Sequence, residues 1–253
     1  ASKRAAWKEL CDMADEDPFG KPYKVVMKKL GGPSATSRME PEAVGGIMDV
    51  LFPQHPPLMV ALPELREDVP LLSTEEVNKA VDRLKGKDHK APGPDGIPNP
   101  VWSSLHEADP SLLVDMFNKA LVEGIYPQCW KIARLALLEK KDKPPGLPSS
   151  YRPLCLLDNG GKLFERTIVT RLESHLERKK VISRSQYGFR TGRSIADAAL
   201  QLKKIAGVAI KKRQFCAAVS IDISNAFNSI PWKRNVESLA NARVPVYLQR
   251  IIR

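Results

Sequence analysis

The sequence predicts an α+β fold, mainly helical, with helices on one side of a few short antiparallel strands. Three observations point there. Several segments repeat apolar residues three and four positions apart between recognisable caps, the period of a helix with one buried face. Residues 131–140 and 151–157 have strand character and flank a Lys- and Pro-rich stretch, so they read as a β-hairpin. Near the end, AAVSIDISNAFNSI (217–230) is an apolar run closed by one carboxylate, Asp222, as a buried strand ending at a site would be. A length of 253 residues suits one large domain or two modest ones, and 43% hydrophobic residues suffice for a core.

In chain order, the first 90 residues read as helices broken at GGPSATS (31–37) and FPQHPP (52–57). LSTEEVNKAVDRLKG follows with Ser73 as N-cap, Glu76 completing a capping box, Val77, Ala80, Val81 and Leu84 as the apolar stripe and Gly86 as the stop. KDHKAPGPDGIPNP (87–100) holds four Pro and two Gly, which dictates a shaped loop. Asp109 caps the next helix, Pro110 opens it, Leu112, Leu113, Met116, Phe117, Ala120 and Leu121 face inward, and Gly124 ends it.

KIARLALLEK (131–140) alternates as a strand, with Ala133, Leu135 and Leu137 on one side. KKDKPPGLPSS is the tip and YRPLCLL (151–157) the returning strand, so the tip presents Lys140, Lys141 and Lys143. Residues 161–180 form a long amphipathic helix with Phe164, Ile168, Leu172 and Leu176 in register. A Gly- and Arg-rich connector leads to a second long helix (194–212), whose Ile195, Ala198, Ala199, Leu202, Ile205, Ala206 and Ala209 are expected to face inward. The apolar strand ending in Asp222 and two short helices, WKRNVESLANA and VYLQRIIR, complete the chain.

The formal net charge is +11, and its distribution is uneven. Residues 131–213 carry 20 Lys and Arg against 7 Asp and Glu, while the remainder is slightly acidic. A localised basic surplus suits a polyanionic partner, or simply a solvated face. The four cysteines are scattered, without Cys-x-x-Cys or paired-His spacing, which argues against zinc and a disulfide framework and for a reducing, intracellular setting. No signal peptide and no apolar run near the roughly 18 residues of a membrane span is visible. The first residue is Ala, which suggests a piece of something longer.

A carboxylate at the tip of a buried strand is well placed to hold a divalent cation, because an unpaired buried charge is costly and a hard cation offsets that cost. The same residue could equally cap a short helix after the strand. Collinear segments add weight to the first reading. KAPGPDGI (90–97), YPQCWKIARLALLEKK (126–141), SYRPLCLLDNGGKLFERTIVTRL (150–172), SQYGFRTGRSIADA (185–198) and VSIDISNAFNSI (219–230) resemble, in order, the upstream loop, two fingers motifs, the fingers-to-palm segment and the first palm motif of non-LTR (LINE-type) retrotransposon reverse transcriptases. WKELCDMADEDPFGKPYKVVMKKL (7–30) is similar to the region between endonuclease and polymerase in the arthropod, rDNA-inserting and jockey-like branch.

The resemblance implies a right-hand polymerase: a mainly helical N-terminal extension (1–100), fingers (101–215) and the first part of the palm (216–253). It implies templated addition of dNTPs to a DNA 3′ end on RNA, with two Mg²⁺ ions in the complete enzyme. Asp222 resembles the catalytic, metal-binding palm carboxylate, with Ile223 beside it as a further metal contact. Arg152 and one of Lys140 or Lys141 resemble the groups that grip the triphosphate, and the amides of Asn225 and Ala226 would cradle it. Phe227 resembles the ring under the sugar that rejects a 2′-hydroxyl, or is plain core packing. Gln186, Gly188, Phe189 and Arg190, and the loop residues Pro92, Gly93, Asp95 and Gly96, resemble template-side elements, though each set would also serve as structural support.

Two further carboxylates are needed, and no Asp-Asp pair occurs in the 253 residues. The expected partners are therefore the remaining palm and thumb and an endonuclease domain, besides RNA template, DNA primer and dNTP, with no membrane. The family's setting is the nucleus and cytoplasm as a ribonucleoprotein. The chain alone is expected to bind nucleic acid without polymerising. The alternatives are a non-catalytic RNA-binding module, a degenerate copy of such an element, or an intron-encoded maturase.

Overall fold

The structure is a computed structural model that describes residues 39–58, 61, 64–65, 68–87, 90–140, 143–144, 146–223 and 225–253. The segments 7–30 and 31–37, and Lys141, lie outside the described residues.

Helices dominate. In chain order they are α1 (Pro41–Leu51), α2 (Thr74–Asp82), α3 (Asn99–Ala108), α4 (Pro110–Glu123), α5 (Asn159–Arg178), α6 (Ile195–Lys211), the single turn α7 (Ala226–Ser229), α8 (Trp232–Asn241) and α9 (Val246–Ile252). Between α4 and α5 lie strands β1 (Ala133–Glu139) and β2 (Tyr151–Leu157). The caps act where the sequence places them. Ser73 Oγ accepts from Glu76 N at 3.3 Å while the Glu76 carboxylate accepts from Ser73 N at 3.0 Å. Asp109 accepts from Ser111 N at 3.0 Å, and Gly124 ends α4 at φ 66°, a conformation only glycine adopts freely.

The main core joins α2, α3, α4, α5 and α9. Val77, Leu113, Phe117, Leu163 and Phe164 are fully buried in it. Phe117 stacks on Phe164 with centroids 5.0 Å apart, and Tyr126 stacks on Phe164 at 5.6 Å. Each fully buried side chain of this kind contributes about 1.5–3 kcal/mol by burial. A smaller core sits under the hairpin, where Ile47 and Leu51 of α1 meet Leu137 and Tyr151. β1 and β2 pair antiparallel, with Leu135 opposite Cys155 and Leu138 opposite Arg152. Leu137 is buried and Ala133 and Leu135 are half-buried, so the alternation reads as the sequence indicated.

Four expectations need correction. A helix, α3, starts at Asn99 inside the segment read as loop. Pro100 fits its first turn, where the N–H that proline lacks would go unused, and Trp102 and His106 form its buried face. Leu112 is exposed, because α4 turns Leu113, Phe117, Ala120 and Leu121 inward and Leu112 falls off that stripe. Helix α6 forms with its own capping box, Ser194 and Asp197, yet buries none of its residues; Ile195, Leu202 and Ile205 stay exposed. Residues 217–222 are not a strand. The described sheet contains only β1 and β2, and with no third strand to bond, Val219, Ile221 and Ile223 stand 86%, 83% and 69% exposed. Asp222 is exposed too, and not at the end of a buried strand.

Candidate functional site

The site residues fall into three groups, each held by a different part of the fold. The first is the Pro- and Gly-rich loop before α3, which is fastened to the start of α5. Gly96, at φ 70°, closes a turn by donating to Gly93 O at 3.2 Å. Asp95 Oδ1 accepts from Ile97 N at 2.9 Å, and Asp95 N donates to Asp158 Oδ1 at 3.0 Å. Asn159 Nδ2 donates to Ile97 O at 2.9 Å and Asn99 Nδ2 to Lys87 O at 2.9 Å.

Small residues permit this approach. A Cβ on Gly93 would lie 2.3 Å from Asp158 Oδ1, and one on Gly160 would lie 2.5 Å from the Trp102 ring. Partial burial, and the nearby Asp158 carboxylate, hold the Asp95 carboxyl above its usual range. Burial, followed by the Arg166 charge, lowers Lys162 on the same helix. Gly93 is therefore buried against the start of α5 and Pro92 is half-buried, while Asp95 and Gly96 remain exposed at the tip.

The hairpin forms the second group. Arg152 stands exposed on β2. Lys140 Nζ donates to Ser149 O at 2.8 Å and Lys140 N to Ser150 O at 2.8 Å, so Lys140 helps close the tip it was expected to project from. The Tyr151 hydroxyl accepts from Gly146 N at 3.0 Å and ties the tip down further. No hydrogen bond or ion pair joins Arg152 or Lys140 to Asp222 among the described residues.

The third group brings two distant segments together. The rings of Phe189 and Phe227 meet edge-to-face with centroids 5.7 Å apart, both largely exposed, and Phe189 sits in the left-handed region at φ 54°. Gln186 Nε2 reaches Gly188 O at 3.4 Å. Arg190 is committed elsewhere: its guanidinium makes two bonds to Glu177, at 2.6 and 2.8 Å, and a third to Ser183 O at 2.9 Å. Arg190 holds the Glu177 carboxyl below the usual range.

The turn after Asp222 is anchored by contacts that the sequence pattern does not reveal. Asn225 Nδ2 and Asn228 Nδ2 both donate to Leu51 O, at 2.8 and 2.9 Å, capping the C-terminal end of α1. His55 Nε2 pairs with Asn228 O at 2.9 Å, and its ring meets Trp232 edge-on. Asn228 is needed as an amide here, since an ionised carboxylate could not donate to that carbonyl. The spacing Asn225–Asn228 was the available signal, but it named no acceptor. Asn225 itself is left-handed at φ 52°, and with Ala226 it opens the one-turn α7. Asp222 precedes this anchor as a lone exposed carboxylate. Among the described residues, no three His, Cys, Asp or Glu side chains are grouped as a metal site.

Residues 138–253 match the family model described as reverse transcriptase (RNA-dependent DNA polymerase). The chain is 32% identical over 247 residues to a Retrovirus-related Pol polyprotein from type-1 retrotransposable element R1 of Bradysia coprophila, covering 91% of this chain and 24% of that protein. It is 32% identical over 174 residues to a probable RNA-directed DNA polymerase from transposon BS of Drosophila melanogaster, covering 69% and 18% of the two proteins. To the RNA-directed DNA polymerase from mobile element jockey of the same fly it is 29% identical over 182 residues, covering 72% and 20%. The chain thus spans about a quarter or less of the length of these relatives.

Proposed function

We propose that the chain is a reverse transcriptase segment of the non-LTR retrotransposon kind, supplying the helical extension (1–100), the fingers (101–215) and the first palm carboxylate (216–253) of an RNA-directed DNA polymerase. The parent reaction is addition of dNTPs to a DNA 3′ end on an RNA template, within a ribonucleoprotein of nucleus and cytoplasm. What carries this reading is one matched block, 138–253, that takes in the hairpin tip and β2, the 186–190 segment and the Asp222 turn together. The contact between Phe189 and Phe227 supports it, because it sets the template-side segment against the ring beside the sugar.

In this scheme Arg152 grips the triphosphate through its planar fork, aided by Lys140 or Lys141. Phe227 lies under the sugar. The tip Asp95–Gly96, with Gln186 to Phe189, borders the template, while Arg190 positions that segment through Glu177. Two Mg²⁺ ions would neutralise charge on the reacting phosphates of the whole enzyme. The described residues do not by themselves fit such a centre: Asp222 and the Ile223 carbonyl would give one exposed corner, and no three His, Cys, Asp or Glu side chains are grouped among the described residues.

A second reading, favoured by the basic surplus of residues 131–213, is that the 253-residue polypeptide acts as a nucleic-acid-binding module without polymerising. The test is Asp222→Asn in a polymerase extended through the rest of the palm. Primer extension should fall at least ~100-fold while RNA affinity stays unchanged. Near-normal synthesis would remove Asp222 from the chemistry.

A further inference from the structure

Helices α2 and α5 enclose a small cavity of about 90 Å³ lined by Glu76, Lys79, Arg83, Arg166, Thr167 and Thr170. Three of these are cations, and the one carboxylate is already spent. Glu76 receives two bonds from Arg171, at 2.6 and 2.7 Å, and Arg171 also donates to the carbonyls of Pro70 and Leu71. The charge left over is positive. Nη1 of Arg166 is shut off from solvent and has no acceptor among the described residues. A guanidinium N–H in that condition is costly, and an anion entering the cavity that Arg166 lines would offer it an acceptor.

Both threonine hydroxyls donate to the backbone of their own helix, Thr167 to Phe164 O and Thr170 to Arg166 O. They line the cavity without neutralising it. The cavity has room for a phosphate group or a few waters, and not for a base.

A second groove shares lining residues with it. Arg83 and Thr170 belong to both, and the outer groove continues past Ser174, Thr191 and Arg193 to the exposed ring of Phe189. Its carboxylates are Glu173 and Glu177, the latter held by Arg190. A cationic pocket that leads along hydroxyls and an arginine to an aromatic shelf matches a chain of phosphates carrying bases better than it matches a free ion.

We propose that Arg166, Arg83 and Lys79 form a phosphate-binding pocket that seats one backbone phosphate of a single nucleic-acid strand lying along α5. The pocket stands on its own geometry; that a strand supplies the phosphate rests on the nucleic-acid reading above. Asp222 lines neither groove, so the two ideas fail separately.

The experiment uses the whole 253-residue chain and two probes, a fluorescein-labelled oligouridylate and inorganic phosphate at constant ionic strength. Arg166→Gln, and the double variant Lys79→Gln/Arg83→Gln at exposed positions, should each weaken oligonucleotide binding about tenfold. The slope of log affinity against log salt should flatten by about one for each phosphate that is no longer neutralised. Inorganic phosphate should raise the melting temperature of the wild type and not that of Arg166→Gln. If both variants bind the oligonucleotide with unchanged affinity and salt slope, the strand is overturned as the source of the phosphate. If phosphate also leaves the wild-type melt unmoved, the pocket itself is overturned. The double variant keeps the proposal testable should Arg166→Gln fold poorly.

Discussion

Gly93→Ala is the sharpest test of how the loop is set. An added Cβ would fall 2.3 Å from Asp158 Oδ1, 2.4 Å from Asp158 N and 2.5 Å from Asp158 Cα. Two of these atoms are backbone at the N-cap of α5 and cannot rotate aside. The loop must lift, and the bond from Asp95 N to Asp158 Oδ1 goes with it. Overpacking costs about 1–3 kcal/mol and loss of a hydrogen bond to a charged group about 1.5–3, so the variant should be destabilised by about 3–5 kcal/mol. For a chain of this size that is a fall in Tm of about 6–20 °C, read by circular dichroism and by the urea midpoint at constant m. Gly96→Ala is the internal control. Nothing lies within 4 Å of its Cβ, so only the left-handed φ of 70° is penalised, about 1–2 kcal/mol. Gly93→Ala within 1 kcal/mol of wild type, or no worse than Gly96→Ala, would show that the loop is not seated on α5 as described.

The other expectations concern chemistry and pH. In the completed polymerase, Phe227→Val should raise ribonucleotide incorporation relative to deoxynucleotide at least tenfold; an unchanged ratio returns that ring to simple packing against Phe189. Arg152→Ala should raise the apparent KM for dNTP about tenfold, whereas a loss confined to template affinity would move its contact to the template strand. Hydrogen bonding from Arg171 holds the Glu76 carboxyl below its usual range. A group depressed on folding stabilises the native state above its unfolded pKa, and that stability is lost as pH falls through the folded pKa. Wild type should therefore weaken from about pH 5 downward, and Glu76→Gln should be less stable at pH 7 by about 1–3 kcal/mol with a flatter acid limb. An identical acid limb would mean the pair contributes nothing.

What the sequence made legible was whatever is decided locally. The capping box of Ser73 and Glu76, the Asp109–Pro110 start, the Gly124 stop and the stripe of Phe164 and Ile168 each involve residues within one or two turns, and all are present. The hairpin was readable because its two strands are consecutive in sequence, flank a Lys- and Pro-rich tip and bond to each other. Helix α3 was missed because Pro98 and Pro100 looked like breakers, although proline is well suited to a first turn. The anchoring of Asn225 and Asn228 on Leu51 crosses more than 170 residues, and no spacing in the sequence announces it. The bond of Arg190 to Glu177 was hidden for a similar reason: the connector folds back on α5, so the side chain taken for a template contact is used within the protein.

The contrast between α6 and the segment after it shows where the candidate site is complete and where it is not. A helix bonds its own backbone, so α6 forms from its capping box with its apolar face uncovered. A strand has no such resource, and residues 217–223 have the pattern of a buried strand without a neighbour to bond. Ile195, Leu202 and Ile205 on the helix, and Val219, Ile221 and Ile223 after it, are exposed together. Pairing and covering these side chains would stabilise them by about 25 cal/mol per Å² of apolar surface buried. Desolvation strengthens a strand-tip carboxylate as a cation ligand, so the cation-binding role proposed for Asp222 would depend on such pairing. The turn behind it is already in place, because Asn225 and Asn228 hold it to α1 whether or not the strand is paired.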